Sequence, residues 1–122
     1  MSSKKETEEE KMIREAQALL AKLAPEVSSL EKLTENLTKK FENAERDGSM
    51  GKMRAELLKD AKIIHEVGTK LLIKFDAVVL IPKDSVNRQV RKQQIKRIEK
   101  TDSKLKDLGL LLEWYFERVH NN

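Results

Sequence analysis

The residues with most to offer chemically are cations. Between Lys83 and Lys100 the sequence sets seven Lys or Arg against two acidic residues. Arg88, Arg91, Lys92, Lys96 and Arg97 recur at spacings that a helix would gather along its flank. Such groups supply fixed positive charge and hydrogen-bond donors, which suit recognition of an acidic surface and not the making or breaking of bonds. The groups that do bond chemistry are sparse. There is no cysteine, so disulfides and thiolate metal sites are excluded. The two histidines, His65 and His120, have no ligand or base arrangement around them; His65 reads as a packed or surface side chain. The four glycines, Gly48, Gly51, Gly68 and Gly109, form no phosphate-cradling loop. Glu8, Glu9 and Glu10 are a charge run and not an acid/base pair. Trp114, Tyr115 and Phe116 read as an apolar anchor for one end of the fold. The expectation is a non-enzyme without cofactor or metal.

Charge is unevenly spread. The chain of 122 residues carries a formal net charge of +4. Residues 1–47 hold nine basic and eleven acidic side chains, a net of −2; residues 83–122 hold ten and six, a net of +4. No apolar run reaches the roughly 18 residues of a membrane span, and the N-terminus lacks the apolar stretch of a signal peptide. A cytoplasmic or nuclear protein that does not insert in membranes is the expectation. The length suits one domain.

The elements that must position the cations are helices. Charged residues make up 38% of the chain and apolar ones 39%, with only four Gly and two Pro, a composition of long helices. Two breaks divide the chain. At Asp47-Gly48-Ser49, Gly48 can take the left-handed conformation that ends a helix and Ser49 can cap the next. At Ile81-Pro82-Lys83-Asp84-Ser85, Pro82 pushes Ile81 out of helical geometry, and Asp84 or Ser85 can cap a third helix. Apolar residues recur every three or four positions in each segment. The first carries Met12, Ala16, Leu19, Leu23, Val27, Leu30, Leu33, Leu37, Phe41 and Ala44. The second carries Met53, Leu57, Ala61, Ile64, Gly68, Leu71, Phe75 and Val78. The third carries Ile95, Ile98, Leu105, Leu108, Leu112, Tyr115 and Val119. This spacing predicts an all-α, antiparallel three-helix bundle. Its helices span about 5–47, 50–80 and 85–119, within a domain covering 12–120, and residues 1–11 read as a charged, flexible tail. Pro25 predicts a bend or restart in the first helix. The β-branched run Ala77 to Ile81 is ambiguous between helix and extended chain. A monomer is the first reading; a third helix swapped into a neighbouring molecule is the alternative that such a hinge leaves open.

At about 100° per residue, Glu66 falls on the outer face of the second helix and Asp76 at the margin of its core stripe. They stand roughly 15 Å apart along the axis. On the third helix Lys92 and Lys96 point outward, Glu99 lies about 100° from the core direction, and Arg91 falls close to it near the helix start. A solvated face would account for the cations by itself. Against that, a helix N-terminus disfavours nearby positive charge by a few tenths of a kcal/mol, so the concentration does not serve helix stability, and a binding role is preferred.

The segment Phe75-Asp76-Ala77-Val78-Val79-Leu80-Ile81-Pro82, with Arg91-Lys92-Gln93-Gln94-Ile95-Lys96-Arg97-Ile98 after it, resembles the BAG domain, most strongly over residues 60–105. BAG domains are co-chaperones of the seventy-kilodalton heat-shock chaperones. The resemblance implies a surface on the second and third helices that binds the chaperone's ATPase domain and promotes exchange of ADP for ATP. It places the family's acidic contact positions at Glu66 and Asp76 and its Arg-Lys pair at Arg91 and Lys92, with Arg88 and Lys96 beside them. Glu99 departs from the pattern: many members carry glutamine there, and a carboxylate accepts hydrogen bonds but cannot donate them. Two other classes of function stay open on the residues alone. A basic bundle could bind nucleic acid or an anionic membrane, although no aromatic residue stands among the cations to stack on bases. A purely structural, oligomerising bundle is the other.

Overall fold

The computed structural model describes residues 5–120, excepting the side chains of Glu117, Val119 and His120. The expected seam position Val119, the side chain of His120 and the first four residues of the tail lie outside the described part. The chain forms three helices: α1, Glu8–Asp47; α2, Met50–Asp76; and α3, Ser85–His120. All three pairs pack against one another. Cross-helix bonds fix the directions. Lys74 meets Glu26 and Lys40 meets Asp60, so α2 runs antiparallel to α1. His65 meets Asp102, and Arg54 donates to the Leu112 carbonyl, so α3 runs antiparallel to α2.

The first expected break ends α1 for the expected reason, and Asp84 begins α3 as expected. Gly48 takes φ 77°, in the left-handed region, and its N–H returns to the Ala44 carbonyl. Ser49 precedes α2 without a side-chain cap; its own N–H donates to Asp47. Asp84 caps α3: its Oδ1 accepts from the Asn87 N–H at 3.1 Å, and its Oδ2 accepts from Asn87 Nδ2 at 2.7 Å. Asn87 Nδ2 also donates to the Ile13 carbonyl on α1. Both side chains are buried, and their mutual bonds offset the desolvation of a polar pair.

Three boundaries differ from the expectation. Helix α1 starts at Glu8, inside the segment read as a tail. Thr7 Oγ1 accepts from the Glu10 N–H, and Glu8, Glu9 and Glu10 stand where the helix dipole favours carboxylates. Helix α2 ends at Asp76 and not near 80, and residues 77–84 form a connection with no regular structure. The β-branched run is thus outside the helix. Pro25 does not restart α1, which is helical throughout. Ala21, whose carbonyl would have accepted from residue 25, is exposed like Pro25, so water can satisfy it. Buried Leu23 and Val27 on either side hold the turn in place.

The core joins Val27, Leu30, Leu37 and Phe41 from α1, Leu57, Ile64, Leu71 and Phe75 from α2, and Ile98, Leu105, Leu108 and Leu112 from α3. The expected seams of α2 and α3 are buried or half-buried at every described position. In α1 two expected positions fail. Leu19 and Leu33 are 47% and 43% exposed, and Leu20 and Thr34 take the inward places. Thr34 Oγ1 donates to the Leu30 carbonyl, so the polar group is satisfied within its own helix. Thr101 does the same on α3 with the Arg97 carbonyl. Of the aromatic trio only Tyr115 packs on the core; Trp114 and Phe116 are exposed. Among the described residues no helix is long and apolar enough to cross a membrane.

Candidate interaction surface

The fold gathers most of the expected site on one side of α3. Arg88, Arg91, Lys92, Ile95, Lys96 and Glu99 line a single shallow groove of about 350 Å³. Half-buried Ile95 provides its apolar floor, since it packs on the core. The remaining two positions, Glu66 and Asp76, are exposed on α2. Helix α2 ends on Asp76, and the connection then turns back into α3, so Asp76 stands at the same end of the bundle as the basic groove. Glu66 is placed further up α2, and no bond links it to the others.

The seven side chains divide into two kinds. Arg91 Nη1 donates to the Val78 carbonyl at 3.0 Å. Arg88 Nη1 and Nη2 donate to the carbonyls of Pro82 and Ile81. Arg91 and Arg88 satisfy the Val78 and Pro82 carbonyls, which lack helical partners at the α2–α3 junction, and Arg88 adds a second donor to the Ile81 carbonyl, which already accepts from the Asp84 N–H. These bonds tie both arginines to the chain beyond Asp76. By contrast, Glu66, Asp76, Lys92, Lys96 and Glu99 make no ion pair or side-chain hydrogen bond within the described residues. The surface thus presents two positioned guanidinium groups beside five uncommitted charges of both signs.

Arg97 belongs elsewhere, although the sequence puts it in the same basic stretch. It crosses to α1, where Nε donates to Glu31 at 3.1 Å and Nη2 to Glu31 and Ser28. The hydrogen bonds from Arg97 hold the Glu31 carboxyl below its usual range against the opposing effect of burial. This cation closes the α1–α3 side of the bundle, away from the groove.

His65 has no partner nearby in sequence, yet it has one in space. Its Nδ1 lies 2.6 Å from Asp102 Oδ1 across the α2–α3 interface. Thirty-seven positions separate the two, and nothing local signals the pairing. Only the antiparallel register of α2 on α3, which also joins Arg54 to Leu112, could have revealed it. Among the described residues no group of three or more His, Asp or Glu side chains is arranged to hold a metal ion.

The chain has no significant match among curated proteins or solved structures. The sequence model of the BAG domain matches residues 13–107. That span takes in most of α1, all of α2, the α2–α3 junction and every residue of the basic groove, and on that match the chain belongs to the BAG domain family.

Proposed function

We propose that this protein is a co-chaperone that binds the ATPase domain of a seventy-kilodalton heat-shock chaperone through α2 and α3 and accelerates the exchange of ADP for ATP. The family is one of chaperone regulators, which supplies the class of partner. The observation that carries the assignment to this face is the set of uncommitted charges. Asp76, Lys92, Lys96 and Glu99 stand exposed beside a groove whose two arginines are already fixed. A surface that leaves these four charges of both signs unpaired offers a complementary partner groups that need break no internal bond to dock. Opposed signs fix orientation and speed encounter more than they add raw affinity.

Exchange needs no catalytic residue. A partner that binds an opened conformation of the ATPase domain more tightly than the closed one shifts that domain toward the open state. ADP, which prefers the closed state, is then bound less tightly by the same factor by which ADP weakens the partner. The two engaged arginines contribute by holding the α2–α3 junction still, so that less freedom is lost on docking. The direct test is release of labelled ADP from the isolated chaperone ATPase domain. Release should speed up in proportion to the protein added until the domain is saturated. An unchanged release rate together with demonstrated binding would leave a binding module without exchange activity; no binding would remove the reading altogether.

A further inference from the structure

Charges alone do not account for a docking face. Polar groups of opposed sign give orientation and speed of encounter, whereas the centre of an interface is apolar and is shut off from water by a polar rim. The groove on α3 offers little of that kind. Its one apolar side chain, Ile95, is half-buried against the bundle's own core. On α2, three large apolar side chains are exposed: Ile63 at 49%, Val67 at 40% and Ile73 at 63%.

Helical phase separates the three. Measured from the core direction of Ile64 at about 100° per residue, Asp60 and Lys74 fall about 40° and 80° to one side. Their bonds to Lys40 and Glu26 mark it as the α1 side. His65 falls about 100° to the other, and its bond to Asp102 marks the α3 side. Ile63 and Val67 lie on the α1 side, at about 100° and 60°. Ile73 lies about 180° round, straight away from the core. On the same scale, counted toward α3, Asp76 stands at about 120° and Glu66 at about 200°, so the direction of Ile73 falls between them. Its height does too: Ile73 is about 10 Å past Glu66 along the axis and about 4.5 Å short of Asp76. Its neighbours three and four positions away are Thr69, Lys70, Asp76 and Ala77, so an apolar centre stands within a mostly polar ring.

We propose that Ile73 is the apolar anchor of the docking surface, received by an apolar recess on the chaperone's ATPase domain. This contact rests on the function proposed above. A partner that reaches both Glu66 and Asp76 must pass over what stands between them, so Ile73 leaves water whenever both acidic contacts form. The free protein has no use for the residue. It has no place in the core that joins the three helices. A β-branched side chain also suits an exposed helix position less well than Lys, Glu or Leu would. Ile63 and Val67 take no part in the contact, because they face the α1 side, across the helix from the basic groove.

The test is calorimetric titration of the nucleotide-free chaperone ATPase domain with the wild type, Ile73→Ala and Ile63→Ala. Ile73→Ala should weaken binding about tenfold, the scale of three carbons no longer withdrawn from water. Ile63→Ala removes the same three carbons from the α1 side of the same helix and should bind like the wild type. Alanine is the better helix former, so Ile73→Ala should melt no lower than the wild type, and unfolding cannot mimic the loss. Salt gives a second readout. The factor lost at Ile73 should be the same at about 0.05 M and about 0.5 M salt, whereas the loss from Asp76→Ala should shrink as ions screen that charge. An Ile73→Ala protein that binds within about twofold of the wild type, a loss at Ile63 as large as that at Ile73, or a loss at Ile73 that fades with salt overturns this inference alone. Failure of the wild type to bind removes the proposed function, and this anchor with it.

Discussion

Two glycine-to-alanine substitutions in this chain should have opposite signs. Gly68 lies inside α2, at the seam with α1 and α3. A Cβ placed there would meet Leu30 Cδ2 at 3.5 Å and Ile98 Cγ2 at 3.9 Å. These are ordinary van der Waals contacts, so the methyl fits without displacing backbone. Alanine is favoured over glycine in a helix interior by about 0.8–1 kcal/mol, chiefly because the unfolded chain has less freedom to lose. The methyl also enters a small pocket between Leu30, Ile64, Ile98 and Leu105, where burial of one carbon adds up to about 0.8 kcal/mol. Gly68→Ala should therefore stabilise the bundle by about 1–1.5 kcal/mol. Gly48 has open space around it, but its φ is 77°. Alanine in that conformation is strained by about 1–2 kcal/mol, so Gly48→Ala should destabilise by about 1 kcal/mol once the entropy gain is counted. Urea denaturation monitored by circular dichroism reads both, as midpoint shifts at constant slope. A destabilised Gly68→Ala would refute the packing of α2 against Leu30 and Ile98. A neutral Gly48→Ala would refute the left-handed cap.

The interaction surface and the helix junctions give three further expected outcomes. Arg91→Ala should weaken binding to the chaperone ATPase domain by about 2–5 kcal/mol if its charge is desolvated on docking; because Arg91 also holds the Val78 carbonyl, the measurement needs a parallel melt, and Asp76→Ala, which breaks no internal bond, gives the cleaner loss. Lys96→Ala, at the rim of the groove, should cost much less; equal losses at all three positions would refute the site. Asn87→Ala should destabilise by about 1–3 kcal/mol, since it strips the bond to the Ile13 carbonyl and leaves one oxygen of buried Asp84 unpaired; chemical denaturation checks it. Glu31, held low by Arg97, contributes stability that is fully present above the ordinary carboxylate range and is lost as pH falls through its lowered value. Glu31→Gln should therefore leave stability near neutral pH lower by no more than about 1 kcal/mol, because the pair is well exposed, and should narrow the gap between the two proteins below about pH 4; denaturation at pH 7 and pH 3 measures it.

Much of the site was legible in the sequence because it depends on local order. The spacing of Asp76, Arg91 and Lys92 around Pro82 is a property of the chain, and a helical phase of about 100° per residue suffices to put Lys92 and Lys96 outside and Glu99 on the flank. What phase could not say is which of those charges are committed. Arg97 and Arg91 differ by six positions in one basic run, yet one is taken by Glu31 of α1 and the other by the junction carbonyl of Val78. Each outcome depends on where a remote segment lies.

The same division runs through the fold. Apolar periodicity and the breaks around Gly48 and Pro82 determined three helices and their order, since helix formation acts over a few residues, although α2 stops at Asp76, ahead of Pro82. The seams of α2 and α3 were determined in the same way. The tertiary structure alone decided that Leu20 and Thr34 face inward while Leu19 and Leu33 do not. A helix with 3.6 residues per turn drifts about 20° per heptad against its neighbours, and the place where its stripe meets the core is fixed by the helices it packs on. It alone kept α1 continuous through Pro25, because core contacts at Leu23 and Val27 outweigh one missing hydrogen bond that water can replace. It alone joined His65 to Asp102 and closed Asp84 on Asn87 and Ile13, since those bonds cross between segments whose register only the packed core sets.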